Sequence, residues 1–306
     1  MNDGPVADFM IEALSEFEVF RDLRDGKITR EQYVAGLEAQ AAEIEARLGS
    51  RFLFNVASRY AGDANRNAAE IFQALRREGL ITNGSGGETS GAESKASAAA
   101  FDALKARMRT HFDHTGHRTF IHHDEAQLVY LISMAVKPRL MVVAGAYYGY
   151  WAIWAMPGVA AAGGRAILID PNPAVCALAE KNFRAMGYGD CTTVHAKKAE
   201  EVFPEIPAEI ELALLDAAGD GKHPDPAYRG KGIYAYLAPG LWERMKPGAL
   251  LVTHNDYQSG IGANRISRES VERSAAQLAP FHEYMAARCR KSHVAATPDG
   301  FGVYLK

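Results

Sequence analysis

The sequence predicts an α/β protein in which a doubly wound, mostly parallel sheet follows a helical appendage. From residue 140 onward, short apolar runs alternate with helix-length segments, as they do in parallel sheets covered by helices on both faces. Residues 7–80 instead carry apolar side chains at helical spacing. A chain of 306 residues that is 48% hydrophobic and 23% charged can bury a complete core around such a sheet.

The helical appendage is assigned to residues 1–82. Phe17 and Phe20 belong to an apolar stripe, and Thr29 followed by Gln32 is a capping-box pattern that begins a further helix. These stripes exceed what a short helical segment can bury alone. We therefore expect a lid or a dimerisation element, and with it a homodimer.

A linker and one larger domain complete the predicted organisation. Residues 83–99 are rich in Gly, Ser, Glu and Ala, which predicts a flexible linker, and residues 100–306 form the sheet domain. The predicted strands are 140–144, 166–170, 192–195, 212–216, 249–253 and 300–305. The predicted helices of this domain are 101–108, 125–136, 150–157, 174–186, 198–203 and 233–246.

A glycine turn joins the first predicted strand to the helix that follows it. Gly145 permits a sharp turn beside a ligand, and Gly149 permits close packing of the helix. The next strand ends in Asp170, whose carboxylate can accept both hydroxyls of a ribose. Because the turn lacks the Gly-x-Gly-x-x-Gly spacing of dinucleotide enzymes, it favours S-adenosylmethionine over NAD.

Several polar residues end neighbouring strands and should face one cleft, because ligands of parallel sheets collect at the carboxyl ends of the strands. These residues are Gly145, Asp170, His195, Asp216, His254 and Asn255. Two polar clusters at the ends of adjacent strands could bind one divalent cation through oxygen and nitrogen ligands. The candidate ligands are Asp216 after one strand and His254, Asn255 and Asp256 after the other.

These motifs resemble the catechol O-methyltransferase-like class of S-adenosylmethionine-dependent methyltransferases. The resemblance rests on the Gly-Ala-Tyr-x-Gly-Tyr turn at 145–150, on Ile169 to Pro173 and on Leu214 to Asp216, and it covers roughly residues 117–306. It implies a Rossmann-like methyltransferase fold of seven strands and O-methylation of a phenolic or oxygen-rich small molecule. The cofactor-binding residues that it implies are Gly145, Ala146, Tyr147, Gly149, Asp170, Lys197 and Asp216.

The resemblance also implies magnesium bound by an Asp after the fourth strand and an Asp-Asn pair after the fifth. Here His254 stands in place of the second Asp, and imidazole is a weaker magnesium ligand than carboxylate. Either the cation is a transition metal, or His254 is a general base in a metal-free enzyme. Asp256 could take the ligand role if the register differs by a residue or two.

The catalytic lysine of the resembling family falls on Gly219 here. Lys222 and His223 lie in the same loop and could substitute for it. Five of the ten histidines lie between residues 111 and 123, and His122 or His123 is the favoured ligand or base among them.

Two positions depart from the resembling family where it holds the methionine end of its cofactor. Val143 replaces an acidic residue, and Trp151 replaces a small hydroxyl residue. They motivate an alternative in which the fold serves cyclisation, elimination or hydrolysis rather than methylation. A third interpretation is a non-enzymatic binding subunit.

Composition argues against several classes of partner. A net charge of −3 and a pI near 6.4 give no electrostatic reason to expect nucleic acid or an anionic membrane. Cys176, Cys191 and Cys289 are too few for a disulfide framework or a zinc cluster. With no visible targeting signal or membrane-length apolar run, we expect a cytoplasmic protein.

Overall fold

The structure, a computed structural model, describes residues 6–49, 68–81, 91–119, 121–257, 268–295 and 297–306. The helices are α1 (Val6–Ser15), α2 (Glu18–Arg24), α3 (Arg30–Ala39), α4 (Ala41–Leu48), α5 (Ala68–Arg77), α6 (Gly91–His111), α7 (His123–Val136), α8 (Met156–Ala161), α9 (Pro173–Ala185), α10 (Ala199–Val202), α11 (Ile233–Glu243) and α12 (Arg268–Ala286). The strands are β1 (Leu140–Ala144), β2 (Arg165–Ile169), β3 (Thr192–His195), β4 (Ile210–Leu215), β5 (Met245–His254), β6 (Lys291–Ala295) and β7 (Phe301–Leu305).

The strands form one seven-stranded sheet in the order β3-β2-β1-β4-β5-β7-β6. The first five strands are parallel, and β7 pairs antiparallel with both β5 and β6. In the register of the sheet centre, Val143 lies beside Leu168 on one side and Leu214 on the other. The doubly wound, mostly parallel sheet predicted from the sequence is therefore confirmed.

Alternate residues of β1 belong to different cores, because successive strand side chains point to opposite faces of a sheet. Met141 and Val143 pack into the core that contains α7 and α9. Leu140 and Val142 pack into the core that contains α11 and α12. Both faces of the sheet are thus covered, which is why its strands read as continuous apolar runs.

The structure differs from the predicted elements in several places. Helix α12 was not among the predicted helices. Strand β6 was not among the predicted strands, because its sequence, Lys-Ser-His-Val-Ala, is largely polar, as suits an edge strand. Helix α6 begins at residue 91 rather than 101, so part of the predicted 83–99 linker is helical. The physical reason is the high helix propensity of the alanines at 96 and 98–100. The rest of that segment, 83–90, lies outside the described residues.

The N-terminal helices divide between two cores. Helices α1–α4 enclose a cluster of their own, which includes Leu14, Phe20 and Leu37. Thr29 and Gln32 form the predicted capping box at the start of α3. Helix α5, in contrast, packs into the core of the sheet domain. The boundary at residue 82 and the lid or dimerisation role remain predictions. Among the described residues, no helix is both long and apolar enough to cross a membrane.

Candidate active site

A cavity of about 960 Å³ opens at the carboxyl ends of the parallel strands. It lies where ligands of doubly wound sheets bind, and its size suits a nucleoside-sized ligand with a small substrate. Predicted site residues that line it are Gly145, Tyr147, Asp170, Asp216, His223, His254 and Asn255. Seven of the 24 lining residues are therefore among those predicted from the sequence, and their functional roles remain predictions.

The glycine turn lies against the backbone of the loop after β4. The φ of Gly145 is +79°, and a Cβ there would lie 2.3 Å from the backbone nitrogen of Ala217. A side chain at this position would therefore separate the two loops that form the cavity floor. Tyr147 also has a positive φ, 49°, and is stabilised because its backbone N–H donates to Asp170 at 3.0 Å.

The carboxylate of Asp170 organises the first half of the cavity. One oxygen accepts the N–H of Tyr147 and the other accepts the N–H of Asn172, both at 3.0 Å. Burial raises the pKa of Asp170, and the two backbone hydrogen bonds oppose that rise. Each carboxylate oxygen has more than one lone pair, so both can also accept a ligand hydroxyl. This is the donor and acceptor chemistry that a ribose diol requires.

The second half of the cavity is organised around Asp216, at the end of β4. The ammonium of Lys231 lies 2.5 Å from Oδ1 of Asp216. It also donates to the backbone carbonyls of Asp216 and Ala217, each at 3.2 Å. Burial raises the pKa of Asp216, but the positive charges of Lys231 and His254 outweigh it and lower the pKa to about 2. Asp216 is thus held as a carboxylate paired with a cation of the chain itself.

His254, at the end of β5, lies between two carboxylates. Its Nε2 is 3.1 Å from Glu125 and its Nδ1 is 3.5 Å from Asp216. Burial lowers the pKa of His254, but the two negative charges raise it to about 10. The ring therefore keeps its proton at neutral pH. This environment argues against the predicted role of His254 as a general base, which needs a nitrogen free to accept a proton near neutral pH.

Glu125 is the residue that holds His254 from the opposite side. It accepts the backbone N–H of His122 at 3.1 Å, as the capping-box residue of α7. Its other oxygen accepts from the hydroxyl of Thr297 at 2.6 Å and from the N–H of Asp299 at 3.0 Å. Burial raises the pKa of Glu125, but the positive charge of His254 opposes this effect, and the net pKa is lowered. Glu125 is therefore ionised. One buried carboxylate thus joins α7, β5 and the loop before β7.

In this arrangement, two of the residues predicted to bind a divalent cation, Asp216 and His254, are already paired with other groups of the protein. Asp216 already carries the ammonium of Lys231, and both nitrogens of His254 face carboxylates. Asn255 lines the cavity with a φ of 54°. A second cluster, Glu125, His254 and Asp299, brings its ligand atoms within 4.8 Å of one another. There, both oxygens of Glu125 already accept hydrogen bonds from the protein.

Several predicted site residues lie away from the cavity lining. Lys222 is exposed, and Lys198 rather than Lys197 lines the cavity. Ala146 and Gly149 support the turn from behind, since a Cβ on Gly149 would meet the Phe183 ring at 2.6 Å. His195 ends β3 without joining the lining residues. These residues are close in sequence to residues that line the cavity, but they do not line it themselves.

Val143 and Trp151 are buried in the sheet core rather than exposed in the cavity. The Trp151 ring packs 5.4 Å from the ring of His254. Both departures from the resembling family are therefore packing changes behind the site. They provide no specific support for a diverted, non-methylating chemistry.

The clustered histidines have structural partners. His117 Nδ1 lies 2.8 Å from the hydroxyl of Tyr147, and His114 Nδ1 lies 3.0 Å from that of Tyr148. His122 is buried as the N-cap residue of α7, 3.6 Å from Asp299. His123 begins α7 and is not part of the cavity lining. His114 and His117 thus brace the glycine turn, and His122 caps α7, whereas His111 is exposed at the end of α6.

Sequence reasoning missed Lys231 and Glu125. Lys231 lies 15 residues after Asp216 in the chain. An antiparallel bridge between Gly219 and Gly230 closes the intervening loop and brings Lys231 back to Asp216. Glu125 was visible as a residue three positions after a helix N-cap, a pattern with an ordinary structural meaning. Two tyrosines that line the cavity, Tyr228 and Tyr236, were also missed.

The central segment of the chain is similar to a known protein family. Residues 142–256 match a family model described as a methyltransferase domain. No curated protein matches the chain. The matched segment contains the glycine turn, Asp170, Asp216 and His254, so it includes both halves of the cavity.

Solved structures share the fold. The SAH-bound methyltransferase PaMTH1 of Podospora anserina is 18% identical, with 73% of this chain and 99% of that chain covered and a TM-score of 0.50. The O-methyltransferase of Bacillus cereus in complex with SAH is 14% identical, with 77% and 97% covered and a TM-score of 0.45. The O-methyltransferase TomG of Streptomyces achromogenes in complex with SAM is 16% identical, with 79% and 97% covered and a TM-score of 0.43. The fold predicted from the sequence, that of the class I methyltransferases, is confirmed.

Proposed function

Since residues 142–256 match a family model described as a methyltransferase domain and the fold is that of the class I methyltransferases, we propose that the chain transfers a methyl group from S-adenosylmethionine to a hydroxyl of a small molecule. The observation that carries this proposal is the placement of Asp170. Its carboxylate ends β2, lines the cavity and is held by two backbone N–H groups of flanking turns. A fixed carboxylate at this position suits the ribose diol of the cofactor.

The chain's contribution to cofactor binding is a rigid half-site. Asp170 would accept the ribose hydroxyls, and the backbone of Gly145 would leave room for the ligand beside the turn. Tyr147 lines the same wall and is 40% exposed, so its ring is available for ligand contact. When bound, the cofactor supplies an electrophilic methyl group on a sulfonium. The protein then has mainly to align the acceptor and exclude water.

The opposite wall supports an aromatic or apolar acceptor. Tyr228 and Tyr236 pack edge to face at 5.2 Å, and Tyr236 is 47% exposed. Ile233 and Leu237 line the cavity beside them. Aromatic and aliphatic side chains with few charges bind a planar, weakly polar molecule. The structural neighbours named O-methyltransferases agree with a hydroxyl acceptor.

His223 is the side chain that we propose as the general base. It lines the cavity and packs against Tyr228, with ring centroids 5.2 Å apart. Its Nδ1 lies 3.2 Å from the carbonyl oxygen of Asp225 and also 3.2 Å from the backbone N–H of Asp225. The tautomer in which Nδ1–H donates to the carbonyl leaves a lone pair on Nε2 to accept a proton, and this is the tautomer that the proposal requires. His223 is not ion-paired with a carboxylate among the described residues, in contrast to His254.

Calorimetric titration with S-adenosylmethionine and with S-adenosylhomocysteine tests the proposal, because a methyltransferase must bind both its cofactor and the demethylated product. Transfer of a labelled methyl group to a panel of phenols and hydroxylated aromatic acids then tests the acceptor class. Binding of both ligands with transfer to a hydroxyl supports the proposal. Failure to bind either ligand contradicts it, whereas binding without release of S-adenosylhomocysteine would favour a diverted chemistry.

A further inference from the structure

Lys231 sits at the carboxylate where the sequence places a divalent cation. Its ammonium lies 2.5 Å from Oδ1 of Asp216, and its side chain is 17% exposed. The two carbonyl contacts at 3.2 Å bring its acceptors to three, which equals the number of protons on an ammonium. We propose that Lys231 is the resident cation of Asp216, and that it excludes a divalent cation from this site.

The loop that delivers Lys231 is built for this position. Gly219 and Gly230 exchange backbone hydrogen bonds of 2.8 and 3.2 Å, which closes the loop between them. A Cβ on Gly219 would lie 1.7 Å from the carbonyl oxygen of Tyr228, so the closure requires glycine at 219. The next residue after the bridge is Lys231, and the bridge directs it toward Asp216.

The geometry leaves no place for a divalent cation at this carboxylate. A Ca²⁺ or Mg²⁺ ion binds a carboxylate oxygen at about 2.0–2.6 Å, which is the distance at which the ammonium already lies from Oδ1. The Nδ1 atom of His254 lies 3.5 Å from the same oxygen. An ion on the other carboxylate oxygen would lie close to the ammonium, and the two positive charges would repel each other.

The consequence for catalysis rests on the proposed function. Lys231 and Asp216 line the cavity beside Ile233 and Tyr236, the wall proposed to hold the acceptor. The acceptor hydroxyl would therefore meet a fixed, internally neutralised ion pair rather than a bound metal. Lys231 then acts as a positioning residue, and methyl transfer proceeds without a divalent cation.

The test is a titration of the full-length protein with Mn²⁺, followed by electron paramagnetic resonance, which counts bound ions without any assay of turnover. The wild type is compared with Lys231→Ala, Lys231→Gln, Asp216→Asn and the double variant Lys231→Ala/Asp216→Asn. Lys246→Ala is the matched control, because Lys246 also pairs with a carboxylate, Glu211, at 2.8 Å but lies outside the cavity lining. Circular dichroism confirms that each variant is folded.

We expect no Mn²⁺ site in the wild type or in Lys246→Ala below millimolar concentration. Lys231→Ala should gain one site with at least 10-fold tighter binding than the wild type, and the double variant should lose it again. Lys231→Gln, which removes the charge but keeps a polar side chain one atom shorter than lysine, serves if Lys231→Ala does not fold. A wild-type Mn²⁺ site that Asp216→Asn removes would overturn the proposal, as would folded Lys231 variants that gain no site. Since binding of S-adenosylhomocysteine is measured separately, failure of the proposed function would be recognised on its own.

Discussion

The imidazole of His254 lies 3.1 Å from the carboxylate of Glu125, although 129 residues separate them in the chain. Both side chains are buried, and the second nitrogen of the imidazole faces Asp216 at 3.5 Å. A cation between two carboxylates offsets the cost of burying each charge, so the three groups are stable only together. The cavity residue Asp216 is thereby coupled to the first turn of α7.

Replacing Glu125 by Gln should therefore destabilise the fold. The substitution keeps the shape of the side chain but removes one of the two charges that stabilise His254. Breaking one partner of a buried ion pair costs about 3–5 kcal/mol, which urea denaturation can measure. Asp124→Asn, one residue earlier and half-buried, is the control and should change the free energy of unfolding by less than about 1 kcal/mol. Equal effects of the two substitutions would contradict the role given to the Glu125–His254 pair.

The pH dependence of stability follows from the same residue. The folded protein raises the pKa of His254 from 6.5 to about 10. The stability that its charge contributes is therefore fully present below pH 6.5 and is lost as the pH rises through about 10. The difference in unfolding free energy between the wild type and His254→Asn should shrink over that interval. A difference that stays constant between pH 6 and pH 10 would show that His254 is not charged in the folded state.

The folding pattern was predictable because it depends on local features. Apolar runs such as Leu140–Ala144 are fully buried, and glycine at 145 marks where the first strand must turn. Because the carboxyl ends of parallel strands share one edge, Asp170 and Asp216 could be placed in one cavity without knowledge of side-chain geometry.

The missed features depend on contacts between distant segments. Lys231 reaches Asp216 only because the bridge between Gly219 and Gly230 closes the intervening loop. No local sequence pattern predicts that bridge. The partner of His254 is a capping residue of α7, whose second role appears only when β5 and α7 are packed together. The protonation of His254 follows from those contacts and from no property of its own segment.

Asp170 should be required for cofactor binding under the proposed function. Asp170→Ala removes the acceptor for the ribose hydroxyls and also frees the backbone N–H of Tyr147. The loss of about 1.5–3 kcal/mol corresponds to at least ~10-fold weaker binding of S-adenosylhomocysteine in calorimetry. Asp190→Ala, an exposed carboxylate outside the cavity lining, should bind as the wild type does. If Asp170→Ala binds S-adenosylhomocysteine as tightly as the wild type does, Asp170 does not bind the ribose.

His223 and Lys222 were both predicted as catalytic, and only His223 is among the residues that line the cavity. His223→Ala should lower kcat by about 10²–10⁴, because proton transfer from the acceptor hydroxyl is lost. Cofactor affinity should stay within about twofold of the wild type, since His223 lies on the acceptor side. Lys222→Ala is the matched control and should keep the wild-type kcat, because its side chain is exposed. A larger effect of Lys222→Ala than of His223→Ala would reverse the assignment of the base.

Two truncations test the organisation of the N-terminal helices. Deleting residues 1–82 removes Ile71, Phe72 and Leu75 from the core of the sheet domain, and each such loss costs about 2–5 kcal/mol. That protein should aggregate or unfold well below the wild-type temperature. Deleting residues 1–49 removes the separate cluster of α1–α4 and should leave a cooperatively folded protein.

The shorter deletion also examines the lid or dimerisation role. If α1–α4 form a dimer contact, sedimentation should show a smaller assembly after removal of residues 1–49. If they form a lid, the assembly should be unchanged and the apparent affinity for the acceptor should fall. Comparable stability of the two truncations would show that α5 is dispensable, and would contradict its packing into the sheet domain.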